Sequence, residues 1–454
     1  MTTRGEFLKG ENIFLPDKLE VNKVVEQINN LKDGETLKIS HAFLIVRLGG
    51  INIAVDPAIQ ARSLSEKEEN KFIPPSHGEA SKSRKKQDGA YTYSMIEAPV
   101  EVNGNPNETN TARVGRILAQ YIDAIFISHL DTDHYDFELI RTIMETNSNT
   151  KVYGPLGWQG VIAKYHSLEI TGDNPTDNYL PEYVRKRMKS LSAKSADPNR
   201  DSGLNYPNLN PDRTILNAQN GESVSVKAID IPHAGGLPAE FVQGFVLESK
   251  TNRILLIPDA ALSPEIIKHI KMNAQGADGN KLTQFIVLTA TLNPESFYGI
   301  LNEQQSYVLR DEIEEGIAHS AYLPLVAAAY TEGETAISIV HSGFYYRSSS
   351  EESNLRGRYP EYKKADNPTL KEWLSRLRVK VDETLKEMEE QINTLGPLSI
   401  SVGRHGRSEI GKLLRDFPIR RRFARKIVEW IKKEGVPDCV LEIIHSPQAN
   451  EIIK

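Results

Sequence analysis

Two segments far apart in this chain carry the same pattern, and that repetition constrains the fold more than any other feature. In the first, the β-rich runs 37–48 and 51–56 are joined by Gly49-Gly50. In the second, the runs 244–249 and 253–260 are joined by Lys250-Thr251-Asn252. Alternating and β-branched residues around a short polar or glycine turn read as hairpins, and Gly-Gly specifies a tight primed turn. Each second strand delivers an aspartate, Asp56 or Asp259, and Asp56-Pro57 stops the first ladder. The duplication predicts two pseudo-equivalent halves, each a sheet covered by helices. The expected fold is therefore α/β, an αββα sandwich of two mixed sheets.

Between the hairpins, the apolar run Ala124-Ile125-Phe126-Ile127 ends in Ser128-His129-Leu130-Asp131-Thr132-Asp133-His134. Two His and two Asp within six residues at the end of a rigid strand suit a metal site, because the loop fans several ligands toward one point. Asp136 then reads as an N-cap, and Phe137, Leu139, Ile140, Ile143 and Met144 follow helical spacing.

Composition narrows the setting. The chain has 454 residues, enough for a large core, and one cysteine, Cys439, which excludes an internal disulfide and a thiolate cluster. No apolar run reaches the ~18 residues of a membrane span, and residues 1–6 are polar, so a cytoplasmic location is expected. A net charge of −6 excludes a generic polyanion binder and confines any nucleic-acid contact to a local patch. Polar stretches at about 61–112 and 166–220 read as insertions capping a site, the second containing the basic piece 184–189. Residues 1–365 are expected to form the main domain, and 366–454 an appended α-rich basic module through which the chain could self-associate. In that module Arg404 and Arg407 flank His405-Gly406, and Arg421 and Arg422 lie in a basic run, so all four are candidate anion-binding residues.

Four more segments sharpen the metal reading. Ile229 to Gly236 ends a strand at His233, the second hairpin ends at Asp259, His319-Ser320 precedes a helix, and the run 337–340 ends at His341. Together with His129-x-Asp131-x-Asp133-His134, these resemble the metallo-β-lactamase superfamily, whose signature is His-x-His-x-Asp-His; Asp131 stands where that signature has its second His. Ser40-His41-Ala42, Asp56-Pro57 with Arg62, and His134-Tyr135-Asp136 resemble the branch of L-ascorbate-6-phosphate lactonase and N-acyl phosphatidylethanolamine phospholipase D. His319 and His341 resemble elements of the ribonuclease Z type.

The resemblance implies two divalent ions. His129, Asp131 and His233 would hold one, Asp133, His134 and His341 the other, and Asp259 would bridge them. A bridging carboxylate offsets the repulsion of two close cations, and the shared water becomes acidic enough to attack near neutral pH, with Asp133 closest to that chemistry. Asp131 makes the site harder and more anionic, moving preference from zinc toward manganese or iron. His319 would contact substrate as a proton donor. Asp56 and His41 would support the site structurally. The expected function is a dinuclear metal-dependent hydrolase of a phosphodiester in a nucleotide or nucleic acid. A lactonase or other small-molecule hydrolase of the same fold is the alternative. A metal-poor relative acting as a partner-binding protein is the reading from a different class.

Overall fold

The computed structural model describes residues 19–40, 42–63, 72–73, 92–94, 96–100, 108–129, 134–155, 187–191, 209–210, 213–231, 242–258, 260, 262–275, 281–288, 322–340, 368–394, 422–445, 447 and 450–454. Fifteen strands of these residues build two large sheets. In chain order they are β1 (Thr36–Lys38), β2 (Leu44–Leu48), β3 (Ile51–Val55), β4 (Ala124–Phe126), β5 (Lys151–Gly154), β6 (Met188–Leu191) and β7 (Leu209–Asn210). There follow β8 (Arg213–Asn217), β9 (Ser223–Asp230), β10 (Gln243–Glu248), β11 (Arg253–Ile257), β12 (Gln284–Val287), β13 (Ala336–Ile339), β14 (Ile444–His445) and β15 (Glu451–Ile453). The first sheet has the order β7-β6-β5-β4-β3-β2-β1-β15, the second β8-β9-β10-β11-β12-β13-β14.

Both sheets repeat one scheme. An antiparallel hairpin, β2–β3 or β10–β11, is followed by parallel strands added one after another, β4 to β7 or β12 to β14. The first hairpin turns on Gly49 and Gly50 at φ 56° and 76°, the left-handed pair that a primed turn requires.

The two faces of each sheet bury different residues. Leu44, Val46, Ile53, Val55 and Phe126 point inward and meet Val226, Phe245, Leu247, Leu256 and Ile286 of the other sheet. Their neighbours Ile45, Ala54 and Ile125 point outward to α1 (Val21–Asn30), α2 (Asn110–Leu118) and α3 (Phe137–Thr146). Val246, Leu255, Phe285 and Ile337 of the second sheet face α4 (Pro264–Gln275), α5 (Leu323–Thr331), α6 (Leu370–Thr394) and α7 (residues 422–434). The result is an αββα sandwich, as the paired hairpins predict. No helix of the described residues is long and apolar enough to cross a membrane.

The described residues of 366–454, the stretch expected as an appended module, pack on the second sheet and add a strand to each sheet. Trp373, Leu377 and Val381 of α6 and Phe423, Ile427 and Ile431 of α7 belong to the same core as the second sheet. Asp382 of α6 accepts from Tyr330 Oη of α5 at 2.9 Å and pairs with Lys271 of α4 at 2.7 Å. β14 then lies beside β13, and β15 beside β1 in the other sheet. The physical reason is amphipathicity: the charge of α6 and α7 lies on their solvent sides, and their apolar stripes need the sheet. Trp373 is wholly buried and donates Nε1–H to Gly435 O at 2.8 Å. Trp373→Ala is therefore expected to destabilise the protein by about 3–5 kcal/mol, read as a lower urea midpoint; a module independent of the sandwich would leave the main unfolding transition unmoved.

Candidate metal centre

The site begins where β3 and β4 run out. Asp56 follows Val55 and adopts φ 48°, a left-handed conformation that Asp tolerates better than most residues. Its N–H donates to Phe126 O at 2.9 Å, so the strained residue is fixed against the end of β4. The turn beyond it is braced twice: Ser40 Oγ donates to Ala58 O, and Asp136 N–H donates to Pro57 O at 2.9 Å. Asp136 also caps α3, its Oδ1 accepting from Leu139 N–H at 3.2 Å.

This geometry aims the Asp56 carboxylate at the ligand loop. Oδ1 accepts from Ser128 N–H at 2.6 Å. Oδ2 meets Ser128 Oγ at 2.6 Å and His134 Nδ1 at 2.8 Å. Ser128 Oγ lies 2.9 Å from His129 Nδ1, and the two imidazole rings stand 4.0 Å apart, centroid to centroid. Asp56, Ser128, His129 and His134 are all fully buried.

Counting protons settles the ring orientations. The carboxylate brings no proton, so the hydrogen between it and Ser128 Oγ is the hydroxyl's own. The hydrogen between Ser128 Oγ and His129 Nδ1 then belongs to the imidazole, and the one between His134 and Asp56 is likewise on Nδ1. In the neutral imidazole this arrangement leaves the lone pair on Nε2, the form that ligates a cation.

The second sheet meets this loop directly. Gln243 N–H, at the start of β10, donates to Ser128 O at 2.9 Å, and its side-chain amide donates to Leu191 O. Ile231 N–H donates to Val242 O at 3.0 Å, continuing the pairing of β9 and β10 by one residue. Gly244 makes this approach feasible, since a Cβ there would stand 2.7 Å from Leu256 O and 2.5 Å from Ile231 Cδ1. Phe245 pairs with Leu256, which brings β11 to its end at the same edge, in line with the ends of β12 and β13 at Val287 and Ile339.

Of the candidate residues, the structure brings Asp56, His129 and His134 together. Arg422 lies elsewhere, on the outer helical layer, where it donates to Gln391 of α6 at 3.3 Å. His41, Asp131, Asp133, His233, Asp259, His319, His341, Arg404, Arg407 and Arg421 lie outside the described residues. Among the described residues no group of three or more His, Cys, Asp or Glu forms a complete metal cage. The donor set that is described has the chemistry of part of one: two buried imidazoles, side by side, each with Nδ1 engaged. Ser128 and Gln243 carry this arrangement without having been singled out in the sequence. A small polar residue between a strand end and a histidine was the available signal for Ser128; nothing local marks Gln243.

No protein-family model matches the chain, and no curated protein is significantly similar to it. Solved structures of the same general build exist. An isothiocyanate hydrolase from Delia radicum gut bacteria aligns over 72% of this chain and 92% of its own, with 12% identity and a TM-score of 0.36. A metallo hydrolase from the archaeon Ignicoccus hospitalis aligns over 72% and 91%, with 9% identity and a TM-score of 0.33. CmlA, a diiron β-hydroxylase from Streptomyces venezuelae, aligns over 68% of this chain but 45% of its own, with 14% identity and a TM-score of 0.32. Likeness at this level decides nothing about chemistry.

Proposed function

We propose that this protein is a dinuclear metal-dependent hydrolase of phosphoester bonds in a small, nucleotide-sized substrate. The observation that carries the reading is the buried Asp56–Ser128 pair engaging Nδ1 of both His129 and His134, which sets the two rings side by side. The order of the remaining candidates along the chain supports it. His233 comes after Ile231, Asp259 two residues after the end of β11, and His341 two residues after the end of β13. These strands end at the edge where Gln243 meets Ser128.

In this reading His129, Asp131 and His233 would hold one ion and Asp133, His134 and His341 the other, with Asp259 as a ligand common to both. Two such ions supply Lewis acidity and a water acidified enough to react near neutral pH. The protein's part is to fix the ligands before substrate arrives. Asp56 sets both imidazoles, while the surrounding sheets exclude bulk water from them. His319 donates a proton to the leaving group.

Two of the described cations favour a small phosphoester over a nucleic acid. Arg187, in the basic piece 184–189, donates to Met144 O at 2.6 Å and Asn147 O at 2.8 Å, closing the C-terminal end of α3. Lys426 is paired with Glu387 at 2.5 Å, on the outer helical layer. Both of these cations are engaged within the fold.

The test is metal analysis of the purified protein, followed by chelation, re-addition of zinc, manganese or iron, and assay on bis-p-nitrophenyl phosphate beside a lactone panel. Activity that is lost with the metals and restored on phosphoesters supports the reading. Activity confined to lactones would replace the substrate class, and a protein that binds no metal would replace the enzyme. Within the same assay Asp131→His is expected to keep two ions but shift selectivity toward zinc, because imidazole is the softer donor. Unchanged selectivity would remove Asp131 from the ligand set.

A further inference from the structure

We infer that Gln243 is a positioning residue: it sets how the two sheets align at the edge carrying the candidate ligands, and so the distance between ligands supplied by each sheet. The metal consequence rests on the dinuclear reading, whereas the brace itself rests on hydrogen bonds alone. Apolar contact between the sheets, such as Phe126 against Phe245 at 5.4 Å between ring centroids, holds them together without fixing their alignment, because it is non-directional. Hydrogen bonds across the gap are directional. Gln243, the first residue of β10, is wholly buried and reaches the first sheet at two strands. Its N–H donates to Ser128 O beyond the end of β4 at 2.9 Å, and its Nε2–H donates to Leu191 O at the end of β6. β5 lies between those two strands, so one residue grips strands that are not neighbours.

A second glutamine forms a brace of the same kind at the far end. Gln284 is the first residue of β12 and is also buried. β10 runs antiparallel to β11, and β11 parallel to β12, which puts the two glutamines at opposite ends of the sheet. Gln284 Oε1 accepts from Thr36 Oγ1 at 2.9 Å and Nε2 donates to Gly34 O at 2.8 Å, so both atoms of that amide are engaged. At Gln243 the oxygen is buried with no hydrogen-bond partner. Reversing that amide would set two oxygens against each other at Leu191, so the donor is what this glutamine contributes and a stranded acceptor is what it costs. A leucine would fill the same space without that cost. Gln243 is thus better suited to aligning the site than to stabilising the fold. His129 and His134 follow β4 in the first sheet, whereas His233, Asp259 and His341 follow β9, β11 and β13 of the second in sequence. In the dinuclear reading each ion would draw ligands from both sheets, and a misaligned edge weakens both.

The experiment compares Gln243→Leu with Gln284→Leu in the full chain. Gln243→Leu removes the bond to Leu191 and the stranded oxygen together, two changes of opposite sign, so its urea midpoint should stay close to the wild type. Its affinity for manganese or zinc, measured calorimetrically, should fall by about 10–100-fold for both ions, as when groups that orient ligands are disturbed. Gln284→Leu should do the reverse. Its midpoint should drop, because Thr36 Oγ1–H and Gly34 O lose these partners, while its metal affinity stays unchanged. In metal-free protein, the main-chain amide of residue 243 should lose exchange protection in Gln243→Leu, and more so than in Gln284→Leu. If Gln243→Leu does not fold, Gln243→Met keeps an unbranched chain without the amide and serves the same comparison. Unchanged metal affinity in Gln243→Leu, or an equal loss in both variants, would overturn the inference. A wild type that binds no metal would reject the dinuclear reading, and amide exchange would then decide alone: lost protection in Gln243→Leu upholds the brace, and retained protection overturns it.

Discussion

Asp56→Ala is expected to lower stability by about 3–5 kcal/mol and to abolish metal-dependent activity together. The substitution leaves three buried donors facing each other without an acceptor: Ser128 N–H, Ser128 Oγ–H and His134 Nδ1–H. Each stranded group costs on the order of 1–3 kcal/mol, and neighbours that relax together recover part of the sum. Alanine also fits φ 48° worse than aspartate, by about 1 kcal/mol. Denaturant unfolding of the metal-free protein separates the stability loss from any effect of bound ions. Asp56→Asn, which keeps the left-handed tolerance and one acceptor oxygen, should fall between the two. A wild-type unfolding midpoint in Asp56→Ala would show that the carboxylate does not hold the ligand loop.

A second large effect is expected at a residue with the opposite division of labour. His319→Ala should keep both ions yet lower turnover by roughly 10²–10⁴-fold, the usual worth of a positioned acid. The loss should be greatest for substrates with poor leaving groups, because a nitrophenolate departs without a proton. Comparing a nitrophenyl ester with an alkyl ester of the same phosphate, at measured metal content, reads this directly. Metal loss in the variant would make His319 a ligand, and an equal loss for both esters would remove it from the acid role.

The parts of this architecture that the sequence revealed are those whose causes are local. The two hairpins follow from alternation and from Gly49-Gly50, and α3 from the Asp136 cap and its apolar stripe. The ligand loop stands out because His and Asp rarely crowd together without a cation to bind. The features that escaped notice depend on partners distant along the chain. Ser128 acquires its meaning from Asp56, 72 residues earlier. β14 and β15 are two and three residues long, too short for a periodic signal, and β15 matters only because Thr36 pairs with Ile453. The apolar stripes of α6 and α7 are visible in the sequence, but the surface that buries them is not.

The placement of β14 and β15 also bears on how the chain is made. They border both sheets, yet they come after every other described strand in the sequence. In chain order β1 precedes β15 and β13 precedes β14, so each stands as an open edge until its partner is synthesised, a template for pairing with another nascent chain. These two edges are covered only when residues 444–453 emerge and pair with β13 and β1 in one pass. Lys38 of β1, buried and donating from Nζ to Pro447 O at 2.9 Å, is set where that closing segment crosses between the sheets. Vulnerability to misassembly in this protein is thus a matter of timing during translation, concentrated in the interval before its final strands arrive.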